Sequence, residues 1–168
     1  MKQKGTKCYK SSTYYNVMAV PNKSEWSVAF DYIFAELSEK ELPLSSFSFF
    51  KAINPLKFNS KGEALFQCPK CPRHWGSINR IINFDYRLSI NSDTEIGYGD
   101  VKLWAFGQKC QKCTKCPFVP AKFTDDAIDH ALRELLLKVR EKFFNEDVTA
   151  ELLLLKARRT SGKKFKSI

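Results

Sequence analysis

The chain has 168 residues, 43% of them hydrophobic, enough to bury one core of ordinary size or one core plus a small metal-stapled unit. Its first residues, MKQKGTKCYKSSTYYN, are polar and basic with no apolar signal-peptide stretch, and its most apolar runs, Phe47 to Phe50 and Leu152 to Leu155, are far too short to span a membrane. These features argue against export and a membrane span and for a cytoplasmic or nuclear protein, while a net charge of +10 and a pI near 9.3 favour anionic partners without naming one.

Residues 1–23 lack apolar periodicity and are expected to form a flexible arm, in which Cys8 is a free thiol without a role. Ser24 suits a helix N-cap, and Trp26, Phe30, Ile33, Phe34 and Leu37 recur on one face of a helix expected to end before Pro43. Leu44 to Phe58 is an aromatic connector whose pattern assigns no structure. After Gly62, the run Ala64-Leu65-Phe66-Gln67 predicts a short strand leading into a metal turn. Trp75 to Ser89 reads as a strand in which Phe84, Tyr86 and Leu88 alternate with Asp85 and Arg87. Asn91 to Glu95 with Gly97 and Gly99 predicts a turn or longer loop, and Val101, Leu103 and Ala105 alternate as a return strand. The two strands make an antiparallel hairpin. Thr124 is the expected N-cap of a helix with Asp125 and Asp126 in its first turn and a stripe of Ile128, Leu132, Leu135, Val139 and Phe143. A shorter helix at Thr149 to Ala157 precedes a basic tail, Arg158 to Lys166, expected to be disordered. The organisation is thus an arm (1–23), one zinc-binding domain (24–146), and a short helix with a basic tail (147–168).

Six cysteines in a reducing compartment point to metal rather than disulfides. Cys68-Pro-Lys-Cys71 and Cys110-Gln-Lys-Cys113 are two C-x2-C knuckles, each of which aims both sulfurs at one point. Together they form a tetrahedral four-sulfur set for Zn2+ with no open position for water. The fold class is therefore α+β: a zinc-ribbon-like antiparallel β hairpin clamped by two cysteine knuckles, with amphipathic helices on either side. The long insertion between the knuckles needs structure of its own, and zinc offsets the entropy of ordering it. Cys116 extends the second knuckle to C-x2-C-x2-C and is a reserve ligand. His74 is a further candidate, with a solvated or hydrogen-bonded side chain as the plainer reading.

Lys70, Arg73, Arg80, Lys109, Lys112 and Lys115 lie beside Trp75 and Trp104 in the sequence, a mixture suited to gripping phosphates and stacking bases. Lys70, Arg73, Trp75, Lys109 and Lys112 are the candidate contacts to RNA or another partner, against the alternative of core tryptophans with solvated lysines. Leu152 to Leu155 with the basic tail offers a peripheral membrane contact, against the alternative of a buried helical turn. Catalysis is disfavoured: there are only two histidines, no phosphate-binding glycine loop and no nucleophile signature, and neither His74-Trp-Gly nor His130-Ala-Leu supplies the glutamate a zinc deaminase needs.

Phe66-Gln-Cys-Pro-Lys-Cys71 with Trp75 and Ser77, then Gly99, Phe106-Gly-Gln-Lys-Cys110-Gln-Lys-Cys113, and Phe123 ahead of the helix resemble the receptor-transporting proteins, with their 3CxxC-type zinc finger, and more distantly the zygote arrest proteins. The resemblance covers about Trp26 to Phe144. It implies a non-enzymatic accessory that helps membrane receptors of the heptahelical, chemosensory type reach the cell surface, working in the cytoplasm and peripherally at the endoplasmic reticulum or plasma membrane. One branch of that family implies RNA binding in antiviral or post-transcriptional control instead. Two departures stand out. Relatives carry a third C-x2-C pair after the helix, whereas no cysteine follows Cys116 here, and many end in a hydrophobic anchor where this sequence has a basic tail.

Overall fold

The computed structural model describes residues 9–13, 23–35, 55–91 and 96–161. In chain order these form β1 (Tyr9–Thr13), α1 (Lys23–Phe34), β2 (Leu56–Gln67), β3 (His74–Asn91), β4 (Ile96–Trp104), β5 (Lys122–Phe123), α2 (Asp125–Phe144) and α3 (Thr149–Ser161). The strands make one five-stranded sheet in the order β1-β4-β3-β2-β5. All pairings are antiparallel except β1 with β4, which run parallel from Tyr9↔Gly97 to Thr13↔Val101.

Side chains alternate across the pleat, so one face of the sheet is apolar. Ala64 and Phe66 of β2, Ile82, Phe84 and Tyr86 of β3, and Val101 and Leu103 of β4 are all buried. That face receives α1 through Trp26, Phe30 and Ile33, and α2 through the expected stripe of Ile128, Leu132, Leu135, Val139 and Phe143. Trp26 joins the layers, meeting Phe84 edge-on at 6.3 Å and Phe123 at 5.8 Å between ring centroids. The sheet and α2 touch most closely at Gly62, where a Cβ would lie 2.8 Å from the Cβ of Ala127. Just beyond it the β2–β3 register shifts between Gly62 and Ala64, a bulge that leaves the Glu63 carbonyl to accept the Thr124 N–H at 3.2 Å.

Helix α2 begins as its sequence demands: the Thr124 hydroxyl accepts the Ala127 N–H at 3.3 Å and Asp125 and Asp126 occupy the positive end. It ends at Asn145, whose left-handed backbone (φ 53°) lets the cap N–H reach the Arg140 carbonyl. Arg140 then grips Glu151 with two nitrogens, at 2.7 and 2.9 Å, and Glu146 at 2.8 Å. Val148, Leu152 and Leu155 pack with Leu137, and these contacts seat α3 on α2.

Several expectations change. The predicted loose arm contains β1, paired with a strand more than eighty residues away in sequence. Its flanking residues, Leu37, and most of the Leu44–Phe58 connector lie outside the described residues. The strand expected after Gly62 starts earlier, at Leu56, because Leu56 and Phe58 pair with Tyr86 and Phe84. Gly97 and Gly99, read as loop, belong to β4 opposite Ile90 and Leu88. Arg158 and Arg159, read as disordered tail, are in the last turn of α3, where cations suit the negative helix end. Leu153 and Leu154 are exposed rather than part of a buried turn. Among the described residues no helix is long and apolar enough to cross a membrane.

Candidate metal centre

The expected hairpin of β3 and β4 delivers the knuckles to one end of the sheet. Cys68 and Cys71 form the turn between β2 and β3, closed by the Cys68 N–H donating to the Arg73 carbonyl at 3.0 Å. Cys110 and Cys113 follow β4 in a loop held by two reciprocal backbone bonds between Gln108 and Val119, at 2.9 and 2.7 Å. Arg80 of β3 anchors the same loop, donating Nε to the Phe106 carbonyl at 2.8 Å and Nη2 to the carbonyls of Phe106 and Gly107, the latter at 3.2 Å.

These two turns bring the sulfurs of Cys68, Cys71, Cys110 and Cys113 within 4.8 Å of one another. Cys68 lies 3.8 Å from Cys113, and Cys71 lies 3.8 Å from Cys110. A tetrahedral zinc with bonds of about 2.3 Å separates its sulfurs by about 3.8 Å, so the spacing fits the ion. All four are free cysteines, with Cys68 and Cys110 buried and Cys71 and Cys113 half-buried. The Lys70 N–H donates to the Cys68 sulfur at 3.4 Å, a bond that favours the thiolate a metal needs. Burial opposes ionisation of Cys68, yet the Lys70 N–H and the Cys71 thiol and N–H outweigh it and bring the group down to about 6. Cys113 moves up to about 12 through its hydrogen bond to Cys71, with burial and Cys68 adding to the effect. A divalent cation takes its cysteine ligands as thiolates, so its binding releases their protons.

Cys116, the reserve ligand, stands beside this set rather than within it. It is buried, its sulfur lies 3.7 Å from that of Cys68, and its N–H donates to the Cys113 carbonyl at 3.3 Å. Burial, then the Cys68 charge, raises its thiol. His74 is the exposed first residue of β3 and is not part of the four-sulfur group.

The candidate contact residues surround the knuckles, and most are engaged. Lys70 Nζ donates to the Lys115 carbonyl at 2.7 Å, bridging the two turns, and Arg73 reaches Gln111 Oε1 at 3.4 Å. Trp75 stacks on Phe66 with centroids 5.4 Å apart, lies under the Arg73 guanidinium at 5.9 Å, and donates Nε1–H to Gln108 Oε1 at 2.8 Å. Lys109 Nζ sits 4.9 Å above the Phe118 ring, and Lys112 is exposed. Gln108 lies in the stretch that carries the family resemblance, whereas Phe118 and Val119, which also carry this loop, have no sequence motif. Their only signal is proximity to the second knuckle.

A family model described as a zinc-binding domain, the 3CxxC zinc ribbon, matches residues 61–166, taking in both knuckles, α2 and α3. The chain belongs to this family. Among curated relatives it is 32% identical over 90 residues to receptor-transporting protein 3 of Mus musculus, covering 54% of this chain and 18% of that protein. It is 33% identical over 79 residues to receptor-transporting protein 4 of Mus musculus, covering 47% of this chain and 30% of the relative. Over 89 residues it is 26% identical to receptor-transporting protein 4 of Homo sapiens, covering 52% and 34%. The match therefore spans about a third of these relatives or less. No solved structure matches the chain. Family and geometry agree on the cofactor: this zinc-binding domain presents a four-cysteine set of the size and softness that Zn2+ takes.

Proposed function

We propose that Cys68, Cys71, Cys110 and Cys113 hold a structural zinc, and that the end of the sheet it fixes binds a heptahelical membrane receptor during delivery to the cell surface. The carrying observation is the closed four-sulfur set, which leaves a bound zinc no position for water or substrate and makes its contribution one of shape. The relatives' name, receptor-transporting protein, supports the receptor role. Phe106 and Phe118, 63% and 67% exposed on the zinc-clamped loop, offer the apolar contacts such a partner needs. The protein acts without catalysis, from the cytoplasmic side of the receptor's membrane. Coexpression with a chemosensory receptor is expected to raise its surface signal and to allow co-precipitation, with both effects lost in Cys68→Ser. A surface signal unchanged by the wild-type protein sinks the reading.

A second reading, RNA binding, is favoured by Lys109 poised over the exposed Phe118 ring beside Lys112, a cation and an aromatic face in one place. It predicts a retarded complex whose affinity falls steeply with salt and weakens in a Lys109→Glu, Lys112→Glu variant. Salt-insensitive binding removes it.

A further inference from the structure

Helix α3 has two apolar faces, and only one of them is used. Leu152 and Leu155, with Val148 before the helix, pack against Leu137 of α2. At about 100° per residue, Leu153 and Leu154 project from the opposite side. They are 63% and 64% exposed, in a molecule whose other leucines in α2 and β4 are buried. Lys156 and Arg158 are exposed and flank this pair, one on each side of the stripe. The single acidic residue of α3, Glu151, is held by Arg140. From Lys156 onward the sequence carries Lys156, Arg158, Arg159, Lys163, Lys164 and Lys166, with Phe165 among them and no Asp or Glu.

From this we infer that α3 is a membrane-surface helix: Leu153 and Leu154 enter the acyl boundary of an anionic bilayer while Lys156 and Arg158 beside them meet lipid phosphates. The chemistry selects this occupant over others. A second copy of the chain would bring two strongly cationic segments together, which like-charge repulsion opposes. A nucleic acid satisfies the cations but offers the leucine pair no apolar medium. An anionic bilayer satisfies both at once, and a two-leucine stripe with a polybasic segment gives reversible, charge-dependent attachment. The inference stands apart from the zinc site, which lies in other loops, and from the receptor reading.

The test is co-sedimentation of the full chain with vesicles of phosphatidylcholine alone and with about one third phosphatidylserine. Binding is expected to the anionic vesicles only, and to weaken as salt is raised past physiological strength. A Leu153→Glu, Leu154→Glu variant is expected to lose at least tenfold in apparent partitioning, and a Lys156→Glu, Arg158→Glu variant to fall toward the level seen with neutral vesicles. Ile78→Glu, the same kind of change at an exposed β3 residue, serves as the control and retains binding. Unchanged circular dichroism and zinc content establish that each variant is folded. Equal pelleting with both lipid mixtures, no binding to either, or wild-type binding by the double leucine variant overturns the inference. So does a dimer in sedimentation equilibrium that the leucine variant dissociates while vesicles are ignored.

Discussion

The two ends of the sheet are held together by different physics. Toward α1 and α2, Trp26, Phe84, Leu103, Leu132 and Leu135 are fully buried and hydrophobic packing supplies the cohesion. At the knuckle end the loop after β4 is closed by an isolated bridge, Gln108 with Val119, and two of its large side chains, Phe106 and Phe118, face outward. There the core tapers to Phe66, Trp75, Val119 and the cysteines themselves, and sulfur ligation adds to it. The contrast teaches that the metal serves the part of the chain that presents an open surface, cross-linking two turns where the core tapers.

The largest expected effect tests this division directly. Structural zinc contributes on the order of 10 kcal/mol to the folding of small fingers, and its removal by chelation or by Cys110→Ser is expected to open the knuckle end first. Hydrogen exchange is expected to show lost protection at residues 68–75 and 106–121 with α2 still protected. Simultaneous loss of α2 would break the comparison. The mirror experiment is Leu135→Ala in the packed end, expected to cost about 2–5 kcal/mol in urea unfolding while zinc content stays the same. A smaller loss, about 1–3 kcal/mol, is expected for Gly62→Val, since the added atoms meet Ala127 across the tight contact of β2 with α2.

The smallest effect concerns a polar tie within the packed end. The Ser60 hydroxyl of β2 donates to Glu134, and His130 Nε2 lies 3.5 Å from the same carboxylate. Burial pushes the Glu134 carboxyl up, but His130 and Ser60 prevail and hold it below the ordinary 4.5. A depressed folded value means that the contribution is present above about pH 4.5 and is lost as pH falls through the lower folded value. Acid titration of stability is expected to show a shallower decline in Glu134→Gln than in the wild type, and identical curves would remove the tie from the account.

What could be read in the sequence depended on how local the cause was. Thr124, the two aspartates and the Ile128–Phe143 stripe lie at or within one helix, so capping located the start of α2 to the residue and periodicity its buried face. The four sulfurs of the site were legible because C-x2-C spacing encodes a turn and a ligand pair together. Pairing across long separations was not legible. Tyr9–Thr13 shows no alternation and becomes a strand only through its parallel partner Gly97–Val101. Gly97 and Gly99 carry a turn signal that their antiparallel pairing with Ile90 and Leu88 overrides. The engaged states of Trp75 and Lys70 arise from Phe66, Gln108 and Lys115, partners that spacing alone does not reveal. Leu152 to Leu155 read as one apolar unit, yet helix geometry divides them between a buried face and an exposed one.

The central claim, that four particular sulfurs hold the metal while a fifth stands beside them, is tested most directly by zinc content. Mass spectrometry would be run on the purified protein and on single Cys→Ser variants at 68, 71, 110, 113 and 116. The account predicts one zinc per chain, lost on substitution of Cys68, Cys71, Cys110 or Cys113 and retained in Cys116→Ser. A folded, metal-free wild type, or a Cys116→Ser variant that loses its zinc while Cys113→Ser keeps it, would contradict it.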